Sequence, residues 1–375
     1  MTSLTKNLFT LIAFFLLVNS SLVDASSRKI VVKRKQAKKA LEAKYGPYSE
    51  KAISENKFIN WGISPNFKKS SINLVEGWKK FEKKSEVVVA VVDTGIDPNH
   101  PYLRKNLFVK NGAISAANYG VDFSDKKKQT NTPIDTHGHG THVAGIIKSV
   151  FPEVKILPIK YFNPKASGED NLKSTIKALE YAVAQNVDII NYSGGGPKAS
   201  PQEKKILEEA REKGILIIAA AGNEKSNIDI EDNAYYPASY GLANIITVSA
   251  HNEFNQIISS SNWGQHSVDI AAPGHKIRSS VPNFAAKLMT GTSQATAFVT
   301  GVAALVKSNY PKLSYSQIKN IIVSSSRKMQ SLKGKVLGGG KLDAARALEV
   351  AGHVYNKLYS PKKAAPIARG VAKNK

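Results

Sequence analysis

The stretch "THGHGTHVAG", residues 136–145, places His137, His139 and His142 within six positions. Imidazole offers two chemistries near neutral pH, metal ligation and proton transfer. Zinc needs three or four converging ligands, and His-x-His-x-x-His spacing supplies three nitrogens. Proton transfer needs one ring, with a nucleophile and an orienting acid elsewhere in the chain. The other histidines, His100, His251, His266, His275 and His353, form no convincing additional ligand set. A nucleophile is easier to find. In "MTGTSQATAFVTGVAALV" (289–306), Ser293 follows Gly291 and Thr292 and precedes small residues at helical spacing, Ala295, Ala297, Gly301 and Ala304. A serine opening a tightly packed helix has its hydroxyl exposed, and the backbone N–H groups around it favour developing negative charge. Asp93, at the end of "EVVVAVVDTG" (86–95), supplies an acid. The chain has no cysteine, so every thiol-based mechanism is excluded.

These residues need elements to carry them. "EVVVAVVDTG" is a continuous β-branched run ending in a turn signal, as expected of a strand buried on both faces of a parallel sheet. Similar runs recur at 154–162, 187–196, 215–223 and 244–250. Helical patterns lie between them. "NLKSTIKALEYAVAQN" (171–186) spaces Leu172, Ile176, Leu179 and Val183 along one face. "SPQEKKILEEAREKG" (200–214) opens with Ser200 as N-cap and Pro201 at the first helical position, and it stops at Gly214. Alternating strands and helices predict an α/β fold, a doubly wound and mostly parallel central sheet flanked by helices. In such sheets chemistry gathers at the carboxyl ends of the strands. Asp93, Ser193 and Asn223 each follow a predicted strand.

At these residues the sequence resembles a known family. "VVDTGID", "HGHGTHVAG" and "GTSQA" are similar to the three active-site blocks of the subtilisin family of serine peptidases, over roughly residues 60–350. The order Asp, His, Ser is part of that resemblance. It implies that Asp93 is the orienting carboxylate, His139 the general base and Ser293 the nucleophile. His137 and His142 are then structural, with His142 facing the core. The block "AAAGNE" implies that Asn223 donates its side-chain amide to the oxyanion, with the Ser293 N–H as second donor. "NYSGGGP" (191–197) resembles the segment whose backbone pairs with an extended substrate; Ser193, Gly194, Gly195 and Gly196 fall there, and glycine permits close backbone approach. The histidine spacing also resembles that of metallo-β-lactamase-like hydrolases, but Thr141 stands where an Asp normally precedes the last His.

Departures from the family pattern carry expectations of their own. "HVAGIIKSVFPEVKILPIK" runs almost directly into the next strand, without the long loop that supplies calcium ligands in many members, so no metal or other cofactor is expected. Asp97, linked to that calcium site by resemblance, is expected to serve a local turn. Gly194, where a leucine is usual, is expected to widen one side of the substrate groove. Tyr235, just before "YPASY", is expected to shorten the primary pocket and to favour small or medium apolar P1 residues. Gln294, Ala297 and Phe298 replace the more usual Met, Pro and His, with minor repacking expected.

The remainder of the chain bears on location and partners. Lys6 precedes the apolar run Leu8–Val18, and small residues at Val23 and Ala25 follow, the pattern of a secretory signal peptide over 1–25. No later run approaches 18 apolar residues, so no transmembrane segment is expected in the mature chain. The net charge is +24, from 53 Lys+Arg against 29 Asp+Glu. Much of it lies in a basic segment at 26–55, a short propeptide or linker, and in a basic tail at 360–375; the catalytic domain is expected over 56–359. Both arms suit an anionic surface, whereas no zinc-finger or RNP-like pattern points to specific nucleic-acid readout. The expected protein is a secreted monomer, extracellular or periplasmic, acting on protein or peptide substrates as a serine endopeptidase. A catalytically silent binding protein on the same fold, docked to anionic surfaces, is the alternative.

Overall fold

The computed structural model describes residues 46–109, 118–125 and 128–359. The expected signal peptide, most of the expected basic segment and the expected basic tail lie outside the described residues. Contacts divide the chain into residues 1–52 and 53–375. In the first unit, Ser49 Oγ donates to Gly46 O and accepts from Ala52 N. A short helix, α1 (Glu50–Ser54), spans the boundary.

The second unit is organised by strand β1 (Val88–Asp93), buried from Val89 onward. Its β-branched residues have no polar face to turn to water, so both faces must be covered. It pairs in parallel with β3 (Lys155–Lys160) on one side and with β4 (Ile189–Tyr192) on the other. Beyond β3 lies β2 (Val121–Asp122). Beyond β4 follow β5 (Leu216–Ala220), β6 (Ile245–His251), β7 (Ile270–Pro273) and β11 (Gly340–Lys341), and β10 (Arg327–Lys328) closes that edge. Every pairing in this sheet is parallel except β10 with β11. Strands β8 (Ile277–Val281) and β9 (Ala285–Met289) form a separate antiparallel hairpin.

Helices cover the two faces as the alternation of side chains requires. On one face Ala90, Val92, Ile190 and Ile217 pack with Ile176, Leu179 and Val183 of α4 (Gly168–Ala184) and with Leu207 and Ala210 of α5 (Pro201–Glu212). Ser200 caps α5 by accepting from Glu203 N, with Pro201 at the first position, and Gly214 takes a φ of +77° after its end. The other face holds α6 (Thr292–Asn309) and α3 (His139–Val150). Helix α6 is buried all round from Thr292 to Val306, and each fully buried Val or Leu there contributes roughly 1.5–3 kcal/mol. Gly301 allows α3 and α6 to touch, since a Cβ there would lie 2.6 Å from Val150 Cβ. Thr300 Oγ1 donates to Asn191 Oδ1 at 2.8 Å and fixes α6 against β4. Helices α2 (Leu74–Trp78), α7 (Tyr315–Ser324) and α8 (Ala344–Tyr359) complete the described fold.

The chain passes from β1 to β2 and β3 on one side, then crosses to β4 on the other. The strand order therefore reverses at β1/β4, and a crevice opens at their carboxyl ends. Asp93 ends β1 and Ser193 follows β4.

Candidate active site

Asp93 is 3% exposed. Its Oδ1 accepts from Thr94 N at 2.7 Å and from His139 Nδ1, also at 2.7 Å. An ionised carboxylate only accepts, so Nδ1 carries the proton and the Nε2 lone pair is left free to act as a base. The imidazole keeps a quarter of its side-chain surface exposed (25%). Burial is the largest single influence on this ring and disfavours its cation. The charge and hydrogen bond of Asp93, with the charge of Asp135, outweigh it and hold the His139 pKa above 6.5.

Asp135 is the site residue that sequence reasoning missed. Helix α3 begins at His139 with Gly138 as N-cap at φ +96°, so no side chain at the cap satisfies its first amides. Asp135 does so from outside the helix. Its Oδ1 accepts from His137 N, Gly138 N and Thr94 Oγ1, and its Oδ2 accepts from Thr141 N and Thr141 Oγ1, all at 2.6–3.0 Å. A carboxylate at a helix N-terminus is favoured by the helix dipole. One acid thus locks the end of β1 to the start of α3 and fixes where His139 stands. The signal was an acid four residues ahead of the helix start.

Ser293 lies in the first turn of α6 and is 7% exposed. Its hydroxyl donates to Ser193 O at 3.0 Å, and Ser193 Oγ donates back to Ser293 O at 3.4 Å. The structure joins Asp93 to His139 directly and leaves the Ser293 hydroxyl hydrogen-bonded to Ser193. Asn223 sits beside the same helix start. Its Oδ1 accepts from Thr292 N at 3.0 Å and Thr292 Oγ1 at 3.3 Å, so its Nδ2 donors are left over for another acceptor.

The segment after β4 forms a wall of the crevice. Gly196 and Tyr236 exchange backbone hydrogen bonds, N to O at 2.9 Å and 2.8 Å. The Tyr235 ring lies between two backbones: a Cβ on Gly195 would be 2.5 Å from its Cε1, and one on Gly222 2.9 Å from its Cδ2. Both glycines have positive φ, +153° and +100°. The three histidines do not converge. His137 is exposed, its ring 6.3 Å from that of His139 and 5.8 Å from that of Phe162. His142 is fully buried, with Nε2 donating at 3.0 Å to both Ile277 O and Lys287 O; burial lowers its pKa to about 4 and keeps it neutral. Among the described residues no group of three His, Asp or Glu could hold a metal ion.

The sequence pattern of the subtilase family matches residues 84–345. The chain belongs to the subtilase family. This subtilase is 34% identical over 293 residues to the major intracellular serine protease of Bacillus subtilis (strain 168), across 76% of this chain and 85% of that protein. It is 36% identical over 251 residues to subtilisin amylosacchariticus of Bacillus subtilis subsp. amylosacchariticus, across 64% of this chain and 61% of that protein. Its fold matches that of a protease from Pseudoalteromonas arctica with a TM-score of 0.64 at 23% identity, covering 78% of this chain and 97% of the other. It is accordingly a subtilisin-like serine endopeptidase.

The subtilase fold carries local departures here. Only Phe151–Val154 separate α3 from β3. Asp97 accepts from Asn99 N at 3.0 Å within its own turn and from Asn283 N at 3.2 Å. Phe298 is buried against Gly62, where a Cβ would stand 2.7 Å from its Cζ. Gly194 does not widen the groove. A Cβ there would overlap the Tyr161 hydroxyl, so the space left by the missing side chain is filled from the end of β3. Among the described residues no helix is long and apolar enough to cross a membrane.

Proposed function

We propose that this subtilase cleaves peptide bonds with Ser293 as nucleophile, His139 as general base and Asp93 as the carboxylate that orients and stabilises the imidazolium. The 2.7 Å contact between Asp93 Oδ1 and His139 Nδ1, at the crevice where α6 presents Ser293, carries the reading. An extended peptide lying along Ser193–Gly196 donates an N–H to Ser193 O and displaces the Ser293 hydroxyl, which turns to Nε2. His139 takes the hydroxyl proton as Oγ attacks the scissile carbonyl, and returns it to the leaving amine. Asn223 Nδ2 and the Ser293 N–H stabilise the oxyanion. Water then hydrolyses the acyl-enzyme by the same proton route, releasing the acid and restoring the serine.

The Tyr235 ring between Gly195 and Gly222 supports a preference for small or medium apolar P1 residues. The apolar run at 8–18 after Lys6 supports export to the periplasm or medium with removal of residues 1–25, and the basic arms support retention on an anionic surface. A serine-directed covalent inhibitor provides the test of function. Labelling of Ser293 with loss of casein hydrolysis supports the assignment; loss to a zinc chelator alone, or no hydrolysis at all, contradicts it. Export is checked by sequencing the mature N-terminus from cell fractions, and retained residues 1–25 in a cytoplasmic pool would refute it.

A further inference from the structure

A pocket of about 770 Å³ borders Gly195 and Gly196, the segment assigned above to the substrate backbone. Its walls include Tyr161, Phe162, Tyr192 and Tyr236, and Glu203 of α5 is part of its lining. Glu203 is 2% exposed. Its two oxygens each accept one phenol, from Tyr192 at 2.8 Å and from Tyr240 at 2.8 Å, and among the described residues no cation pairs with it. A carboxylate buried this far without a countercharge is unfavourable, and its net shift is a raised pKa despite the two tyrosines.

Helix capping does not account for it. Ser200-x-x-Glu203 has the capping-box pattern, in which the glutamate would accept the N–H of Ser200. Tyr240 Oη takes that N–H instead, at 2.8 Å. That same Tyr240 hydroxyl donates to Glu203 Oε2, and the carboxylate, which lines the pocket, keeps accepting lone pairs beyond its two phenol contacts. The other charged residues on the pocket are Glu169, already paired with Lys173 at 2.7 Å, and Lys198 at the rim. With Glu169 neutralised by Lys173, Glu203 is the pocket's carboxylate without an ion-pair partner among the described residues. Aromatic walls attract cations by their π faces, and the aliphatic stem of a lysine or arginine packs against such walls while its head reaches a carboxylate.

We propose that Glu203 makes this pocket a subsite for a lysine or arginine side chain of the bound peptide, at a position beyond P1. This rests on the peptidase reading above, and Glu203 acts as a specificity residue. The test uses fluorogenic peptides with alanine fixed at P1 and lysine, arginine, norleucine or glutamate scanned at P2, P3 and P4. Lysine or arginine is expected to exceed norleucine at least tenfold in kcat/KM at one position, and glutamate to be the poorest there. Glu203→Gln is expected to bring that lysine-to-norleucine ratio close to one. A wild-type ratio near one at all three positions overturns the proposal without recourse to a variant, as does a preference that survives E203Q. Peptides cleaved and Ser293 labelled without cationic preference sink the subsite alone; no cleavage of any peptide sinks the peptidase reading with it.

Discussion

Replacing Tyr235 with glycine should change which residue is accepted at P1. The ring fills a slot between Gly195 and Gly222, with 2.5 Å and 2.9 Å from its carbons to the positions a Cβ would take on either side. On the P1 reading proposed above, the ring takes the space an aromatic P1 side chain would need. Removing it opens a space about one ring in size against the same backbones. Burying a phenylalanine side chain contributes roughly 1.5–3 kcal/mol, and each 1.4 kcal/mol is about a factor of ten. Tyr235→Gly should therefore raise kcat/KM for a P1 Phe peptide roughly ten- to a hundredfold, while P1 Ala changes little. A stability cost opposes this, because Tyr235 packs on the small core of Ala221, Ala238 and Val268. The half-buried ring should cost less than the ~3–5 kcal/mol of a fully buried aromatic, so assays belong well below the melting temperature. The measurement is kcat/KM for anilides differing only at P1. A Phe-to-Ala ratio unchanged in an active variant, or a wild-type enzyme that already prefers Phe, refutes the reasoning.

Other consequences are equally direct. The rate follows the neutral fraction of His139, so kcat/KM should rise with pH through an apparent pKa above 6.5, and Asp93→Asn should lower both that pKa and the rate; a profile flat between pH 5 and 8 contradicts this. Asn223→Ala should lower kcat by about 10²–10³ with KM little changed, a magnitude taken from subtilisin itself rather than worked from this chain. His142 has a depressed pKa, so its stabilisation is complete above pH 6.5 and is lost as pH falls toward 4. Between pH 7 and 4.5 that loss amounts to roughly 2 kcal/mol. In urea unfolding on a Ser293→Ala background, His142→Gln should lack this increment; identical pH slopes would refute it.

The parts of this molecule that were legible from sequence are those set by local pattern. The β-branched run ending at Asp93 had to be a two-sided strand, and Ser200-Pro201 had to open a helix, because backbone demands at those positions have few other solutions. The missed parts depend on where distant side chains point. Gly194 reads as empty space along the sequence, yet Tyr161, 33 positions earlier, fills that space. Ser200 and Glu203 have capping-box spacing, yet Tyr240, 37 positions after Glu203, accepts the Ser200 amide and donates to the carboxylate. Asp135 was hidden among more reactive neighbours, although a carboxylate ahead of an uncapped helix start is an expected anchor. Packing, not periodicity, decides such contacts.

The most direct measurement is the location of the covalent intermediate. The enzyme is mixed with a slowly deacylating p-nitrophenyl ester, quenched in acid during the initial burst, digested and mapped by mass spectrometry. One acyl group per chain is expected, on Ser293, lost again at neutral pH and absent from His139→Ala. Peptide hydrolysis with no adduct at Ser293, or with the acyl group on another residue, would contradict the assignment.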